Sequence, residues 1–212
     1  MIKHVLLVDD HMIIRTGLKI LLKTDFPGCT FHEAEDGKTT LEMFKKQNFS
    51  LVILDVNIPG TNVFELVTKL LSLCPQLPIL MFSMNDENVY AKKFYKLGVK
   101  GYVKKDEPAD EIKLAVQTVL NNRKYISKSY SESLADQMFD KKVENPLELL
   151  SPKQVQITNL LIQGKTVSEI CTAMKLHSST VSTQKTRIFE KFKVSNVVEL
   201  YAFAKMNNFT TA

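Results

Sequence analysis

Four short apolar runs in the first half of the chain each end on residues that can do chemistry. Val5-Leu6-Leu7-Val8 runs into Asp9-Asp10, Leu51-Val52-Ile53-Leu54 into Asp55, Ile79-Leu80-Met81-Phe82 into Ser83, and Gly101-Tyr102-Val103 into Lys104-Lys105. As strands of one parallel sheet, these runs would bring three carboxylates, a hydroxyl and an ammonium to a single crevice, since ligands of such sheets sit outside the strand carboxyl ends. Clustered carboxylates raise one another's pKa unless a cation intervenes. A hard divalent ion, Mg²⁺, suits a few carboxylates together with carbonyl and water oxygens. It would neutralise a phosphoryl group arriving at one carboxylate, while Ser83 and a lysine hold the other oxygens, as phosphoryl transfer requires. Singly, each residue has a plainer reading: a strand-end Asp caps the next helix, and a Lys pair is solvated. The combination across four strands is what the plainer reading leaves unexplained.

The elements that must position this chemistry are legible in the apolar spacing. The runs suit strands buried on both faces, with weaker strands at Cys29 to Ala34 and Gly101 to Val103. Between them lie stretches with apolar residues three and four apart: Ile13/Ile14/Leu18/Leu21/Leu22, Leu41/Phe44, Phe64/Leu66/Val67/Leu70/Leu71, Val89/Phe94/Leu97 and Ile112/Leu114/Ala115/Val119. Each is a helix with one buried face. Five such repeats predict an α/β domain, a doubly wound parallel sheet with helices on both sides. From Asn121 to Pro146 the pattern loosens. Ser127-Lys-Ser-Tyr-Ser-Glu-Ser is polar, a helical turn or two fits Leu134 to Phe139, and Asp140 to Pro146 reads as a linker.

The final segment is all helical. Ser151-Pro152-Lys153-Gln154 combines an N-cap Ser, Pro at the first helical position and Gln three residues after the cap. Gly164 stops that helix, and Thr166-Val-Ser-Glu169 opens another with a second capping box. A tight link at Lys175-Leu-His leads to a longer helix from about Ser178 to Phe192, and Val197/Leu200/Tyr201/Phe203/Ala204 form a last amphipathic piece. This is a helix-turn-helix pattern.

The charge is partitioned accordingly. The 212 residues, enough for two domains, carry 28 Lys+Arg against 23 Asp+Glu. From Ser151 onward there are eight basic and three acidic side chains, so the whole excess of five lies in the helical segment. A neutral body with a basic end points to a polyanionic partner for that end. Composition is that of a globular protein, which excludes wholesale disorder and collagen-like classes. No apolar run approaches the ~18 residues of a spanning helix, and the opening Met-Ile-Lys-His enters an apolar run without a small-residue cleavage site. A cytoplasmic protein with no membrane partner is expected. Cys29, Cys74 and Cys171 are scattered without zinc-ligand spacing and read as reduced thiols.

Val8-Asp9-Asp10-His11, Leu54-Asp55-Val-Asn57-Ile-Pro59-Gly60, Phe82-Ser83 and Gly101-Tyr102-Val-Lys104-Lys105-Asp106 together resemble the receiver domain of two-component response regulators, over about residues 2–122. The resemblance implies a flavodoxin-like sheet of order 2-1-3-4-5 in a receiver spanning 1–124. It implies that Asp55 takes a phosphoryl group from a cognate sensor histidine kinase with Mg²⁺ as cofactor. Asp10 would bind the ion directly, Asp9 mostly through water, and Asn57 by its backbone carbonyl. Lys105 matches the family's lysine better than Lys104, and Ser83 and Tyr102 match the pair that rearranges on phosphorylation. The added phosphoryl charge would draw Ser83 inward and let Tyr102 follow. Two positions depart from the family. Val63 stands where an Asn-Gly or Asp-Gly pair usually supplies Gly, and a β-branched residue disfavours φ > 0, so a different loop is expected. Met84 stands where small residues are frequent and, with Asn57 and Asn85 beside the site, bears on water access.

The segment from Leu150 through Gly164, Thr180-Val-Ser-Thr-Gln-Lys-Thr-Arg187 and Lys191 resembles the LuxR-type DNA-binding domain. With a receiver it suggests the NarL/FixJ class, nearest the subgroup controlling virulence or fimbriae, with a partly helical linker over 125–147 and the helix-turn-helix domain over 148–212. On the 178–192 helix, Val181, Ile188, Phe189 and Phe192 can face the core. Ser179, Thr180, Ser182, Thr183, Lys185, Thr186 and Arg187 are the expected contacts to double-stranded promoter DNA in the major groove. Lys165, Lys175, Lys185, Arg187 and Lys191 are the phosphate candidates, which supply affinity and salt dependence rather than sequence choice. The family usually has Lys and His where Ser182 and Gln184 stand, and Glu at Gln154. His177 replaces a capping Ser and is a weaker, pH-sensitive cap. A homodimer through about Asn196 to Lys205 is implied, with RNA polymerase as a further partner.

This makes the chain a phosphorylation-switched regulator rather than an enzyme in the usual sense, limited to its own phosphorylation and slow dephosphorylation. Two alternatives differ in kind. A haloacid-dehalogenase-like phosphatase needs Asp-x-Asp, whereas Asp9-Asp10 are adjacent and Asp55 stands alone on another strand. A DNA-binding regulator could instead use its receiver as a phosphorylation-independent interaction platform.

Overall fold

A computed structural model describes residues 3–139 and 149–206. The chain divides into two compact units, Met1–Glu132 and Ser133–Ala212.

In the first unit β1 (Lys3–Val8), β2 (Cys29–Ala34), β3 (Leu51–Leu54), β4 (Ile79–Ser83) and β5 (Gly101–Lys104) form one parallel sheet of order β2-β1-β3-β4-β5. They alternate with α1 (Met12–Lys23), α2 (Gly37–Phe44), α3 (Val63–Leu73), α4 (Glu87–Leu97) and α5 (Ala109–Leu120). Every residue of β3 and β4 is buried, which is why those strands read as unbroken apolar runs. On one face Val5, Leu7, Leu51, Ile53 and Leu80 pack with Leu18 and Leu22 of α1 and Ile112, Val116 and Val119 of α5. On the other side of the unit, the rings of Phe64 on α3 and Phe94 on α4 stack with centroids 4.4 Å apart.

The register decides what meets at the carboxyl edge. Val8 pairs with Leu54, and the Asp55 N–H donates to the Val8 carbonyl at 2.9 Å, so Asp9 and Asp55 emerge side by side. Ser83 pairs with Lys104, and the Lys105 N–H donates to the Ser83 carbonyl at 3.0 Å.

The loop after Asp55 places Val63 without strain. The left-handed residue is Gly60, with φ 68°. Asn62 caps α3, its side chain accepting from the Glu65 N–H, so Val63 is the first helical residue and is fully buried. Its β-branched side chain therefore adopts ordinary helical backbone.

α6 (Lys128–Phe139) starts well before the Leu134 expected from apolar spacing. Ser127 begins it, its Oγ accepting from the Tyr130 N–H at 3.1 Å. Tyr125 packs at β5, where a side chain in place of Gly101 would meet Leu80 at 2.9 Å, Val119 at 3.0 Å and Tyr125 at 3.2 Å. The linker assigned to Asp140 through Pro146, and the 147/148 boundary, lie outside the described residues.

The second unit contains α7 (Pro152–Ile162), α8 (Val167–Met174), α9 (Ser178–Phe192) and α10 (Val197–Met206). Both capping boxes form, Ser151 with Gln154 and Thr166 with Glu169. Val155, Ile157, Leu161, Ile170, Val181, Ile188, Leu200 and Ala204 make the core. α8 ends on Lys175 in the left-handed conformation, φ 52°, and three residues later, at Ser178, α9 begins. His177 stands at the N-cap of α9 but its side chain makes no cap hydrogen bond, so the weak cap expected of it is not formed. Among the described residues no helix is long and apolar enough to cross a membrane.

Candidate functional site

The strand-end residues meet. Lys105 Nζ lies 2.5 Å from Asp9 Oδ2 and 2.9 Å from Asp55 Oδ2, with all three side chains under a tenth exposed. Lys104 instead turns to Asp106 at 3.1 Å. Burial pushes the Asp55 carboxyl above its ordinary value, against the charge and hydrogen bond of Lys105, and the charge of Asp9 adds to the rise. Burial would lower Lys105, but Asp55 and Asp9 outweigh it and hold the ammonium above its usual value.

The oxygens are unequally supplied. Asp9 Oδ1 accepts from the His11 N–H at 2.8 Å and its Oδ2 from Lys105. By contrast Asp10 Oδ1 and Asp55 Oδ1 are shut from solvent without a hydrogen-bond partner among the described residues, although His11 Nδ1 lies 2.9 Å from the former. Buried carboxylate oxygens left in this state call for a cation. Asp9, Asp10 and His11 could each offer a ligand atom, mutually within 4.8 Å.

Beside the carboxylates, Ser83 and Tyr102 are fully buried. Both converge on Asn85: Ser83 Oγ accepts from its N–H at 3.3 Å, and the Tyr102 hydroxyl donates to its carbonyl at 2.9 Å. Tyr102 is thus already turned inward, and burial lifts its hydroxyl far above the usual pKa. Asn57 reaches the same hub, its Nδ2 donating to Asn85 Oδ1 at 3.3 Å. Met84 is 58% exposed at this edge.

Sequence reasoning named Asn85 only as a flanking residue and missed Arg15, whose guanidinium donates to the Asp9 carbonyl at 2.6 Å and pairs with Glu33 at 3.3 Å. An arginine on an amphipathic helix carries no mark of such a contact; only the fold brings Glu33 opposite.

On α9, Ser179, Ser182, Thr183, Thr186 and Arg187 are exposed, and their spacing of three and four puts them on one stripe. Thr180 and Lys185 are half-buried, with Lys185 Nζ 5.4 Å over the Phe189 ring. Phe189 is half-buried, while Val181, Ile188 and Phe192 face the core. The Thr183 and Thr186 hydroxyls donate to the carbonyls of Ser179 and Ser182 at 2.8 and 3.2 Å. Lys191, a phosphate candidate from sequence, is engaged inside the unit: its Nζ donates to the Leu149 carbonyl at 2.8 Å and to Gln154 Oε1 at 2.7 Å. Gln154 Nε2 donates to Gln184 Oε1 at 3.1 Å, so two of the four residues noted as departing from the family pattern pair with each other.

Comparison with known proteins agrees with both units. Residues 5–117 match the response regulator receiver domain, and residues 148–204 match the luxR family of bacterial regulatory proteins. The response regulator GacA of Pseudomonas viridiflava is 31% identical over 202 residues, 94% of each chain. The response regulator UvrY of Escherichia coli K12 is 29% identical, covering 93% of this chain and 91% of that one. RcsB of Salmonella enterica serovar Typhimurium, solved bound to the promoter rprA in the presence of phosphomimetic BeF3-, shares the fold with a TM-score of 0.72 at 22% identity, over 97% of this chain and 99% of that one. A LuxR-family two-component response regulator from Aurantimonas sp. SI85-9A1 is 26% identical with a TM-score of 0.61, over 66% of this chain and all of that one. The chain belongs to the response regulators that join a receiver domain to a LuxR-type DNA-binding domain, the NarL/FixJ class of transcription regulators.

Proposed function

We propose that Asp55 accepts a phosphoryl group from a phosphohistidine of a cognate sensor kinase and that this switches sequence-specific binding of promoter DNA. The observation that carries the reading is the buried Asp55 carboxylate, paired with Lys105 through Oδ2 and, among the described residues, unpartnered at Oδ1. In the transfer an Asp55 oxygen attacks phosphorus, the phosphorus–nitrogen bond breaks, and the imidazole leaves with the electron pair. Lys105 and the Ser83 hydroxyl are the groups that hold oxygens of the transferred phosphoryl group. Asp10 Oδ1 and Asp55 Oδ1 are the direct ligands that Mg²⁺ would take, with the Asn57 carbonyl; Asp9, whose oxygens are already engaged, would act through water. When bound, the ion supplies charge neutralisation between carboxylates and phosphoryl oxygens.

At the other end the stripe from Ser179 to Arg187 enters the major groove. Its small hydroxyl residues meet base edges, and Arg187, with Lys165 and Lys175, meets phosphates. One such module reads few bases, so a homodimer on two half-sites is the working form, with RNA polymerase contacted from the bound promoter and a cytoplasmic location.

The test is treatment with acetyl phosphate and Mg²⁺, followed by intact mass and by promoter binding. A Mg²⁺-dependent adduct that disappears in Asp55→Ala, with altered DNA affinity, is expected. No adduct, or one that survives the substitution, overturns the phosphoacceptor. An adduct that leaves DNA binding unchanged would favour the receiver as a phosphorylation-independent platform.

A further inference from the structure

The segment that follows α5 is seated on the receiver by contacts the phosphoacceptor chemistry does not use. Tyr125, Ser127 and Tyr130 are all buried. The Tyr125 N–H donates to the Lys100 carbonyl at 2.8 Å and its hydroxyl to Glu111. From α4, the Tyr95 hydroxyl donates to the Tyr125 carbonyl at 2.9 Å, and the Tyr95 ring lies 6.0 Å from that of Tyr130. Ser127 does two jobs. Its Oγ accepts from the Tyr130 N–H, starting α6, and donates to the carboxylate of Glu87, the first residue of α4.

Glu87 has no local reason to be there. α4 is already capped by Asp86, whose side chain accepts from the Asn88 N–H. Glu87 is nevertheless 4% exposed, and its Oε1 has no hydrogen-bond partner among the described residues. Burying a carboxyl this way costs free energy that an apolar residue would not. Burial pushes its pKa up to about 7, against the Ser127 bonds, with Glu107 and Asp86 adding to the rise; Tyr95 and Tyr125 lie in the same field.

Along the chain, only Asp86 separates Glu87 from Asn85, the hub that takes the Tyr102 hydroxyl on its carbonyl, the Ser83 hydroxyl on its N–H and Asn57 on its side chain. α4 therefore begins between the phosphoryl-site residues on one side and the start of α6 on the other.

We propose that the Glu87–Ser127 bond is a tether that couples the state of the Asp55 site, through Asn85 and the first turn of α4, to the first turn of α6, the helix that leads along the chain to the DNA-binding domain. Glu87 touches neither phosphoryl group nor metal ligand and is a positioning residue. The proposal rests on the reading of Asp55 as phosphoacceptor.

The experiment uses the full chain with Mg²⁺ and beryllofluoride as probe, following amide hydrogen exchange over residues 125–132 and the beryllofluoride midpoint. Coupling between two sites is reciprocal, so the probe must alter exchange at 127–131, and cutting the tether must alter probe affinity. Ser127→Ala and Glu87→Ala are expected to speed exchange there, weaken beryllofluoride by roughly fivefold, and abolish the probe's effect on exchange. Glu87→Gln, which keeps an acceptor for the Ser127 hydroxyl, restores both readouts, and with Ser127→Ala it carries the test if Glu87→Ala does not fold. Faster exchange in Ser127→Ala with an unmoved beryllofluoride midpoint would make the bond merely structural and overturn the coupling. So would a normal wild-type adduct that leaves exchange at 127–131 unchanged. A wild-type chain that forms no adduct overturns the phosphoacceptor reading, and the coupling with it.

Discussion

Lys105 Nζ stands 2.9 Å from Asp55 Oδ2 across fifty residues of sequence, with both side chains withdrawn from solvent. The same ammonium reaches Asp9 Oδ2 and so offsets the repulsion between the two carboxyl groups. Asp55 has its folded pKa raised, so its contribution to stability is present at low pH and is lost as pH rises through the folded value. Removing the ammonium extends that rise and the accompanying loss to higher pH. Lys105→Met is therefore expected to cost about 3 kcal/mol at pH 8 in Mg²⁺-free buffer, the scale for breaking a buried pair. The loss should shrink at pH 5 and on adding Mg²⁺. Urea midpoints under the three conditions check it; a loss independent of both would come from packing instead.

Why this centre was legible while its surroundings were not is a matter of period and range. Strand burial leaves a local mark, four consecutive apolar residues such as Leu51 to Leu54, and the chemistry sits at the next position. Caps are equally local, three residues apart at Ser151/Gln154 and Thr166/Glu169. The contacts that escaped notice join polar residues far apart in sequence: Arg15 to Glu33, Glu87 to Ser127, Gln154 to Gln184 and Lys191. No periodicity marks a polar residue whose partner is brought by topology. The early start of α6 was the avoidable miss, because Ser127 followed three residues later by an apolar Tyr130 is a local cap signal hidden in a polar run.

Glu87 gives the first unit a second pH dependence. Its folded pKa is raised from 4.5 to about 7, so full stability is present below pH 4.5 and is lost as pH rises through 7. Glu87→Gln removes the cost of ionisation while keeping the Ser127 bond. Its stability should exceed that of the wild type by an amount that grows between about pH 4.5 and pH 7 and then levels off, at about 3 kcal/mol at most. Denaturation midpoints of the two proteins across that range check it. A constant difference would mean that Glu87 does not titrate there.

His4 Nδ1 and His32 Nε2 lie 3.0 Å apart, with the His32 ring edge-on to Phe49 at 5.5 Å. One nitrogen must donate and the other accept, so the contact forbids two cations. Burial first, then the charges of His4 and Lys19, hold His32 below its ordinary value. A depressed histidine contributes stability present above 6.5 and lost as pH falls through the folded value. The pair is partly exposed and screened, so the loss between pH 7 and 5 should be no more than about 0.5 kcal/mol. His32→Phe, which keeps a ring against Phe49, should flatten that slope; equal slopes in both proteins would remove the pair as its source.

The α9 stripe separates two kinds of contact that should respond differently to substitution. The Thr183 hydroxyl is already bonded to the Ser179 carbonyl, so the group it offers outward is its methyl. Thr183→Val, which keeps that methyl, should preserve base preference. Thr183→Ser, which keeps only the hydroxyl, should relax it at one position by about 1–3 kcal/mol. Arg187 sits on the same exposed stripe, whereas Lys185 is half-buried and lies over Phe189. Arg187→Ala should therefore weaken all sequences alike and reduce the slope of log affinity against log salt by about 1, with Lys185→Ala doing less. Salt titrations on a specific and a scrambled duplex measure both quantities. If Thr183→Ser lowers affinity equally on the two duplexes, Thr183 is a backbone contact and the division between the residues fails.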